Sequence, residues 1–302
     1  MPKIRSRSHA FDSTRFAPLS HDFSSHPAMA LPQLRALAHR LAVTEQCRFI
    51  APEATQASEF DHHAAPTDGR DLDDVFDQID QPGAWIALYN IETDPQYQEF
   101  LSELRAAFEP LLAGQQTGIT NVGGFVFISC APSVTPFHID RENNFWLQIL
   151  GTKTISVWPA NEPHVMAPAS VEKFILNRDL TDVRLSDAIQ PYRNDFEMRP
   201  GKGLYFPSLT PHMTRCDEPA PNEVGGPSIS IGVVFYSDQT RQQSRALAFN
   251  RLLRRVGLNP QIPPLTTADQ PQRLLDVAHA AAGRLLVQAM KKLRGFAPPP
   301  GL

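Results

Sequence analysis

The chain reads as a mainly β protein with flanking helices, and three observations carry that reading. Short β-branched or aromatic runs at residues 125–128, 154–158, 204–206 and 228–236 are separated by Gly and Pro. No long helical pattern falls between them, whereas apolar residues recur at helical spacing before and after. A parallel sheet would interleave helices with its strands, so the pattern predicts an antiparallel sandwich or barrel. With 302 residues, 42% hydrophobic and 20% charged, the chain can bury a large core and has ordinary globular composition.

The elements follow in order. The first thirty residues are rich in Ser, His, Arg and Pro and lack a period, which predicts a poorly ordered arm or an extended surface wrap. Leu34, Leu37 and Leu41 then mark one face of a short helix. Residues 51–70 have turn-forming composition and read as a loop, followed by a brief helix over 71–79 with Val75 and Ile79 on one side. A strand is expected at 85–89. Thr93 or Asp94 can cap the next helix, Pro95 suits its first turn, and Tyr97, Leu101, Leu104 and Phe108 recur at helical spacing. Beyond the strand region, a helix starting near residue 239 closes at Gly257. A last helix over about 272–293 carries the apolar stripe Leu274, Val277, Ala281, Leu285, Ala289 and Leu293. That stripe is expected to pack on the core or to form a homodimer interface. The expected organisation is a single domain: an N-terminal arm and helices over 1–83, a β-core over 84–238 and C-terminal helices over 239–302.

Composition narrows the function. A formal charge of −4 and a pI near 6.2 argue against a partner bound by phosphate neutralisation, so no nucleic-acid partner is expected. Cys47, Cys130 and Cys216 lie far apart without CxxC spacing, which disfavours a disulfide scaffold or zinc ribbon and fits a reducing compartment. No apolar run approaches a membrane span and the first residues lack the apolar core of a secretory leader. A cytoplasmic protein without a membrane partner is the expectation.

The chemistry concentrates in residues 135–159. His138 and Asp140 are two apart, and on a strand that spacing turns both side chains to one face with Ile139 on the other. An imidazole and a carboxylate so placed can share a divalent metal. The candidate third ligand is His212, reached from the turn at Pro200–Gly201 through a short strand expected to end at the histidine. Two histidines and one carboxylate on one side of a metal leave adjacent positions open, as in non-haem Fe(II) oxygenases, whereas a structural zinc site closes all four. A lysine among β-branched and apolar neighbours (Lys153, beside Thr154, Ile155 and Val157) is costly to bury unless it meets an anion. Asn144, Trp146 and Gln148 share strand parity and can line one wall, with Ser228 or Ser230 completing the floor.

Thr135, His138, Asp140, Asn144, Phe145, Gln148, Gly151, Lys153 and His212 stand in one register. In that register the chain resembles the JmjC/cupin-like Fe(II)- and 2-oxoglutarate-dependent oxygenases, notably the asparaginyl-hydroxylase type. The resemblance covers roughly residues 84–238, with weaker similarity to bacterial cupin-like proteins through both arms. It implies a double-stranded β-helix (jelly-roll/cupin) core with N- and C-terminal helical arms. It also implies Fe(II) on His138, Asp140 and His212, 2-oxoglutarate as co-substrate with its distal carboxylate on Lys153 and Thr135, and O2 as the second co-substrate. Asn144 matches a family asparagine near the co-substrate, Trp146 an aromatic wall, and Ser230 a late-strand polar position. The implied reaction is hydroxylation of a protein, peptide or small-molecule C–H bond with release of succinate and CO2. A homodimer through C-terminal helices is implied as well. Two other readings stay open at this point: a non-catalytic cupin-like ligand-binding module, and a metal cupin enzyme independent of 2-oxoglutarate. Lys153 discriminates against both.

Blander readings suffice elsewhere. Asp61, His62 and His63 are a rival metal cluster, but adjacent histidines on a strand point opposite ways. Trp158 reads as core packing and Cys130 as a small buried hydrophobe. Arg251, Arg254 and Arg255 suit a helix C-terminus. His164 lies where a loop could bring it to the mouth of the site. Specificity is expected in residues 51–70, 159–200 and 213–227; the middle segment offers Glu172, Lys173, Arg178, Asp179 and Tyr192 as polar contacts.

Overall fold

A computed structural model describes residues 2–8, 10–49, 71–82, 84–160, 162, 164–217, 226–270, 273–294 and 302. The strands are β1 (Ile4–Ser6), β2 (Ala17–His21), β3 (Cys47–Phe49), β4 (Trp85–Leu88), β5 (Thr120–Ser129), β6 (Ser133–His138), β7 (Asn143–Leu150), β8 (Lys153–Val157), β9 (Asn194–Met198), β10 (Lys202–Phe206), β11 (His212–Cys216) and β12 (Ser228–Tyr236). The helices are α1 (Leu31–Ala42), α2 (Leu72–Asp77), α3 (Gln98–Leu112), α4 (Pro168–Asn177), α5 (Asp238–Arg255) and α6 (Leu274–Arg294).

Two antiparallel sheets face each other, one ordered β1-β2-β10-β7-β12-β5-β4-β3 and the other β6-β11-β8-β9. From β5 to β12 the strands pair first with last, β5 with β12, β6 with β11, β7 with β10 and β8 with β9, and the pairs fall alternately in the two sheets, which is the jelly-roll arrangement expected for the core. Strand alternation then sorts the side chains. Phe145, Leu147, Ile231, Val233 and Phe235 leave the large sheet on its outer side and pack against α1 and α3, where Phe108 stacks on Phe145 with ring centroids 4.8 Å apart. Phe137, Trp158 and Met213 leave the small sheet on its outer side and meet α4 and α5. Between the sheets, Trp146, Ile155, Val157, Met198, Leu204 and Phe206 form the apolar end of the interior.

Helix starts follow local chemistry. Asp94 accepts from Gln96 N and begins the turn at Pro95 that leads into α3. Asp71 with Asp74, and Ser237 with Thr240, form reciprocal caps on α2 and α5. Trp158 is buried and donates from Nε1 to the Ile189 carbonyl (2.9 Å), and the Cys130 thiol is buried toward the Asp80 carbonyl (3.1 Å).

Several expectations are corrected. The first thirty residues are not a poorly ordered arm: β2 pairs with β10 and extends the large sheet, with Leu19 and Phe23 fully buried. Pro18 and the shortness of both strands hid an alternating pattern that pairing to β10 makes stable. β3, α4 and β9 also went unpredicted. Of the two expectations for the last helix, packing of the leucine stripe on the core is not met. Ala280, Gly283 and Val287 face α5, while Leu274 is 88% exposed and Leu285 68%. A Cβ on Gly283 would lie 1.8 Å from the Arg245 carbonyl oxygen, so close helix approach selects the small-residue face over the leucine face. Glu172 is likewise no surface contact: it is fully buried and paired with Arg254 through two 2.9 Å hydrogen bonds, joining α4 to the end of α5. Residues 51–70, including the Asp61–His62–His63 cluster, lie outside the described residues.

Candidate active site

His138 is the last residue of β6, and Asp140 follows in the turn rather than on the strand. His212 opens β11 rather than closing the preceding strand, and pairs directly with His138 across β6. The five-residue turn before it is held to the Asp140 segment: Leu209 N donates to the Asp140 carbonyl (2.8 Å), and Ser208 N to Asn143 Oδ1 (3.1 Å). Leu209 adopts a left-handed backbone (φ 65°), unusual for a branched side chain and sustained here by those bonds and by burial. Asn143 is therefore a positioning residue that sequence reading missed. Its neighbour Asn144 faces the interior, and alternation sends Asn143 the other way, toward the turn.

The three candidate ligands bring one donor atom each within 4.8 Å of one another. His212 Nε2 lies 3.4 Å from Asp140 Oδ2, and His138 Nε2 4.0 Å from Asp140 Oδ1. Donors about 2.1 Å from a shared metal stand about 3 Å apart, so the cluster needs to contract only slightly to close on an ion. Both rings are oriented for it. His138 Nδ1–H donates to the Pro136 carbonyl (2.7 Å) and His212 Nδ1–H to the Thr210 carbonyl (3.0 Å), which directs each Nε2 toward the Asp140 carboxylate. The Phe206 ring lies 4.6 Å from that of His212 and covers one side.

Burial pushes His212 down to about 4, which keeps the imidazole neutral and ready to coordinate. The same shift sets a stability profile. Between pH 6.5 and about 4 the unfolded histidine takes up a proton that the folded one refuses, so stability falls as pH drops through that window. The gap amounts to about 3 kcal/mol for the metal-free protein. Urea unfolding at pH 7 and pH 4.5 should show the slope, and His212→Asn should flatten it; an unchanged slope in the variant would refute the assignment.

Behind the triad lies a polar pocket. Gly151 takes the positive φ (65°) of the β7–β8 turn, where a Cβ would lie 2.6 Å from the Pro227 carbonyl oxygen. The turn delivers Lys153 into the interior, where it is only 4% exposed. Desolvation lowers its pKa, and among the described residues its ammonium has no hydrogen bond or ion pair. Thr135, on β6, and Ser230, on β12, are buried on the interior side of their strands. Ser230 Oγ and Asn144 Oδ1 lack partners, whereas Ser228 Oγ is engaged by Gln148 Nε2 at 2.8 Å. That difference separates the two serines that the sequence left equivalent. Gly232 faces Asn144 and keeps space open beside its amide. Trp146 belongs to the apolar interior cluster with Leu204 and Phe206.

His164 is exposed and stacked with Tyr192 (ring centroids 6.2 Å), and does not join the triad. At the rim, Tyr236 donates to Glu142, whose carboxyl is raised by burial and by the nearby Asp140 charge.

Residues 99–234 match the family model of the JmjC domain. The matched segment covers most of the β-core, from within α3 to within β12. The resemblance read from Thr135 to His212 is thereby borne out, and the whole set of candidate ligands and pocket residues lies inside the matched segment. No curated protein matches the chain. Among solved structures, the chain is similar to Escherichia coli YcfD at 15% identity and a TM-score of 0.46, over 97% of this chain and 70% of that one. A complex of YcfD, described as a ribosomal oxygenase from Escherichia coli, with cobalt and 2-oxoglutarate is 17% identical with a TM-score of 0.41, over 98% of this chain and 64% of that one. The α-ketoglutarate-dependent carbocyclase SnoK from nogalamycin biosynthesis is 13% identical with a TM-score of 0.43, over 75% of this chain and 81% of that one. The chain thus spans just under two thirds of the cobalt-bound YcfD chain. Among the described residues, no helix is long and apolar enough to cross a membrane.

Proposed function

We propose that the chain is an Fe(II)- and 2-oxoglutarate-dependent oxygenase that hydroxylates a C–H bond of a protein or peptide side chain, or of a small molecule, and releases succinate and CO2. The observation that carries the proposal is the Lys153 ammonium, buried without a hydrogen-bond or ion-pair partner among the described residues, in the same interior as the unpartnered Ser230 Oγ and Asn144 Oδ1 and a three-donor cluster. A lone buried cation destabilises a fold, and a pocket that retains one is built for an anion. The donor set fits Fe(II): two neutral nitrogens and one carboxylate leave positions for a bidentate keto acid and for O2.

In this reading His138, Asp140 and His212 hold the metal. Lys153 and Thr135 bind the distal carboxylate, Asn144 and Ser230 hydrogen-bond the co-substrate, and Trp146 walls the cavity. The metal, when bound, would supply a centre at which O2 is the oxidant, taking two electrons from the keto acid and two from the C–H bond. The chain's own residues orient and protect: the two Nδ1–H bonds fix the imidazoles, and Trp146, Leu204 and Phe206 keep water from the interior. The free thiols of Cys47, Cys130 and Cys216 suit a cytoplasmic setting.

Anaerobic addition of Fe(II) and then 2-oxoglutarate should produce a visible metal-to-ligand charge-transfer band that His138→Ala lacks. Metal binding without a band would overturn the keto-acid reading. The proposal extends to a homodimer through the exposed face of α6, where Leu274, Val277 and Leu285 are uncovered. Light scattering should give twice the chain mass, reduced to one chain when residues from 270 onward are removed; an unchanged state of association would count against it.

A further inference from the structure

Cys216 is a nucleophile that the proposed chemistry leaves unused, and it stands where that chemistry binds its co-substrate. β11 runs antiparallel to β8 with Arg215 opposite Thr154. One residue further along, Cys216 faces Lys153, and strand alternation turns both side chains into the interior. Sγ lies 3.4 Å from Ser129 Oγ and 3.7 Å from the Thr152 carbonyl oxygen, both weak contacts for a thiol. The side chain is 6% exposed, and the facing sheet presents the buried hydroxyls of Ser129, Ser228 and Ser230 to the same interior.

The other two cysteines point elsewhere. Cys47 packs against the apolar layer on the helix-covered side of the large sheet. Cys130 follows Ser129 on the strand line and therefore faces away from the interior, toward the Asp80 carbonyl. Two independent features mark the interior that Cys216 enters as a ligand pocket: the ammonium of Lys153 opposite it, without a hydrogen-bond or ion-pair partner among the described residues, and the orphaned Ser230 Oγ on the facing sheet.

We propose that Cys216 is a covalent modification site inside the co-substrate pocket, where thiol-directed electrophiles and a 2-oxo dicarboxylic acid exclude one another. The proposal rests on Lys153 anchoring that acid. The chemistry is substitution at sulfur. With iodoacetamide a sulfur–carbon bond forms, the carbon–iodine bond breaks, iodide leaves with the electron pair, and the thiol proton passes to water. No oxidant is needed. The added carbamidomethyl group fills the space beside Lys153 that the distal carboxylate would otherwise take.

The test uses the full chain loaded with Zn(II), with 2-oxoglutarate binding measured by calorimetry. Iodoacetamide labelling of each cysteine is followed by peptide mass spectrometry. At one hundred times the calorimetric Kd, 2-oxoglutarate should slow Cys216 alkylation about a hundredfold by mass action, while Cys47 labels at an unchanged rate. Protein alkylated beforehand should lose 2-oxoglutarate binding, and Cys216→Ser should bind 2-oxoglutarate with or without iodoacetamide treatment. Binding without protection, or a Cys216 that stays unlabelled in the free protein, overturns this proposal alone. Absence of calorimetric binding overturns the oxygenase reading and the exclusion with it.

Discussion

Lys153→Met is expected to lose 2-oxoglutarate while leaving the metal site and the fold intact. Removing one partner of a buried ion pair costs about 3–5 kcal/mol, which is more than a hundredfold in co-substrate affinity. In the free protein the sign reverses. Lys153 is desolvated without a compensating carboxylate among the described residues, so an apolar side chain of similar length should raise the stability of the ligand-free state. A function-bearing residue that costs stability is the signature of a site held open for its ligand. Calorimetry with 2-oxoglutarate, Zn(II) titration and thermal melting of the same variant read the three effects separately. Equal losses of metal and keto acid, or a lower melting temperature in the free state, would remove Lys153 from the anchor role.

How much of the site the sequence reveals depends on whether each residue's neighbours lie near it in the chain. His138, Asp140, Asn144 and Lys153 fall within sixteen consecutive residues, on β6, β7 and β8 and the turns between them, so strand parity and one glycine turn bring them together. His212 is distant in sequence but adjacent in the sheet, and a Pro-Gly turn feeding a short strand was signal enough to select it. Parity failed to place Asp140 on a strand, because β6 ends at His138. It also could not show that Asn143 reaches Ser208, since that contact exists only once β7 and β10 are paired.

The same distinction explains the fold-level misses. β1 is too short and β2 too short and proline-marked to signal strands alone; β2 becomes a strand by pairing to β10, and β1 by pairing to β2. In α6 the leucine stripe obeyed the helical period, yet tertiary contact chose Ala280, Gly283 and Val287, because α5 approaches too closely for larger side chains. Periodicity identifies a helix; which of two apolar faces is buried depends on the partner's distance. Glu172 and Arg254 each read as surface charges for the same reason, and each neutralises the other where α4 meets α5.

Asp140→Ala is expected to abolish metal-dependent turnover without unfolding the protein. The carboxylate is the sole anionic donor among the three candidate ligands, and its loss leaves two neutral imidazoles to hold a dication. Loss of outer-shell partners alone costs about 10–100-fold in metal affinity, so loss of a direct ligand should exceed the upper end of that range. The structural duty of this residue is carried by its backbone: the Asp140 carbonyl accepts from Leu209 N and steadies the turn ahead of His212. Alanine keeps that carbonyl, and the side chain it removes is 28% exposed, so little packing is lost. Melting within a few degrees of the parent, joined to weakened metal binding and no keto-acid charge-transfer band, is the outcome that assigns the defect to coordination. Full turnover in the variant would remove Asp140 from the ligand set. It would also leave His138 and His212, with both Nδ1 atoms anchored to backbone carbonyls, in need of a different third ligand.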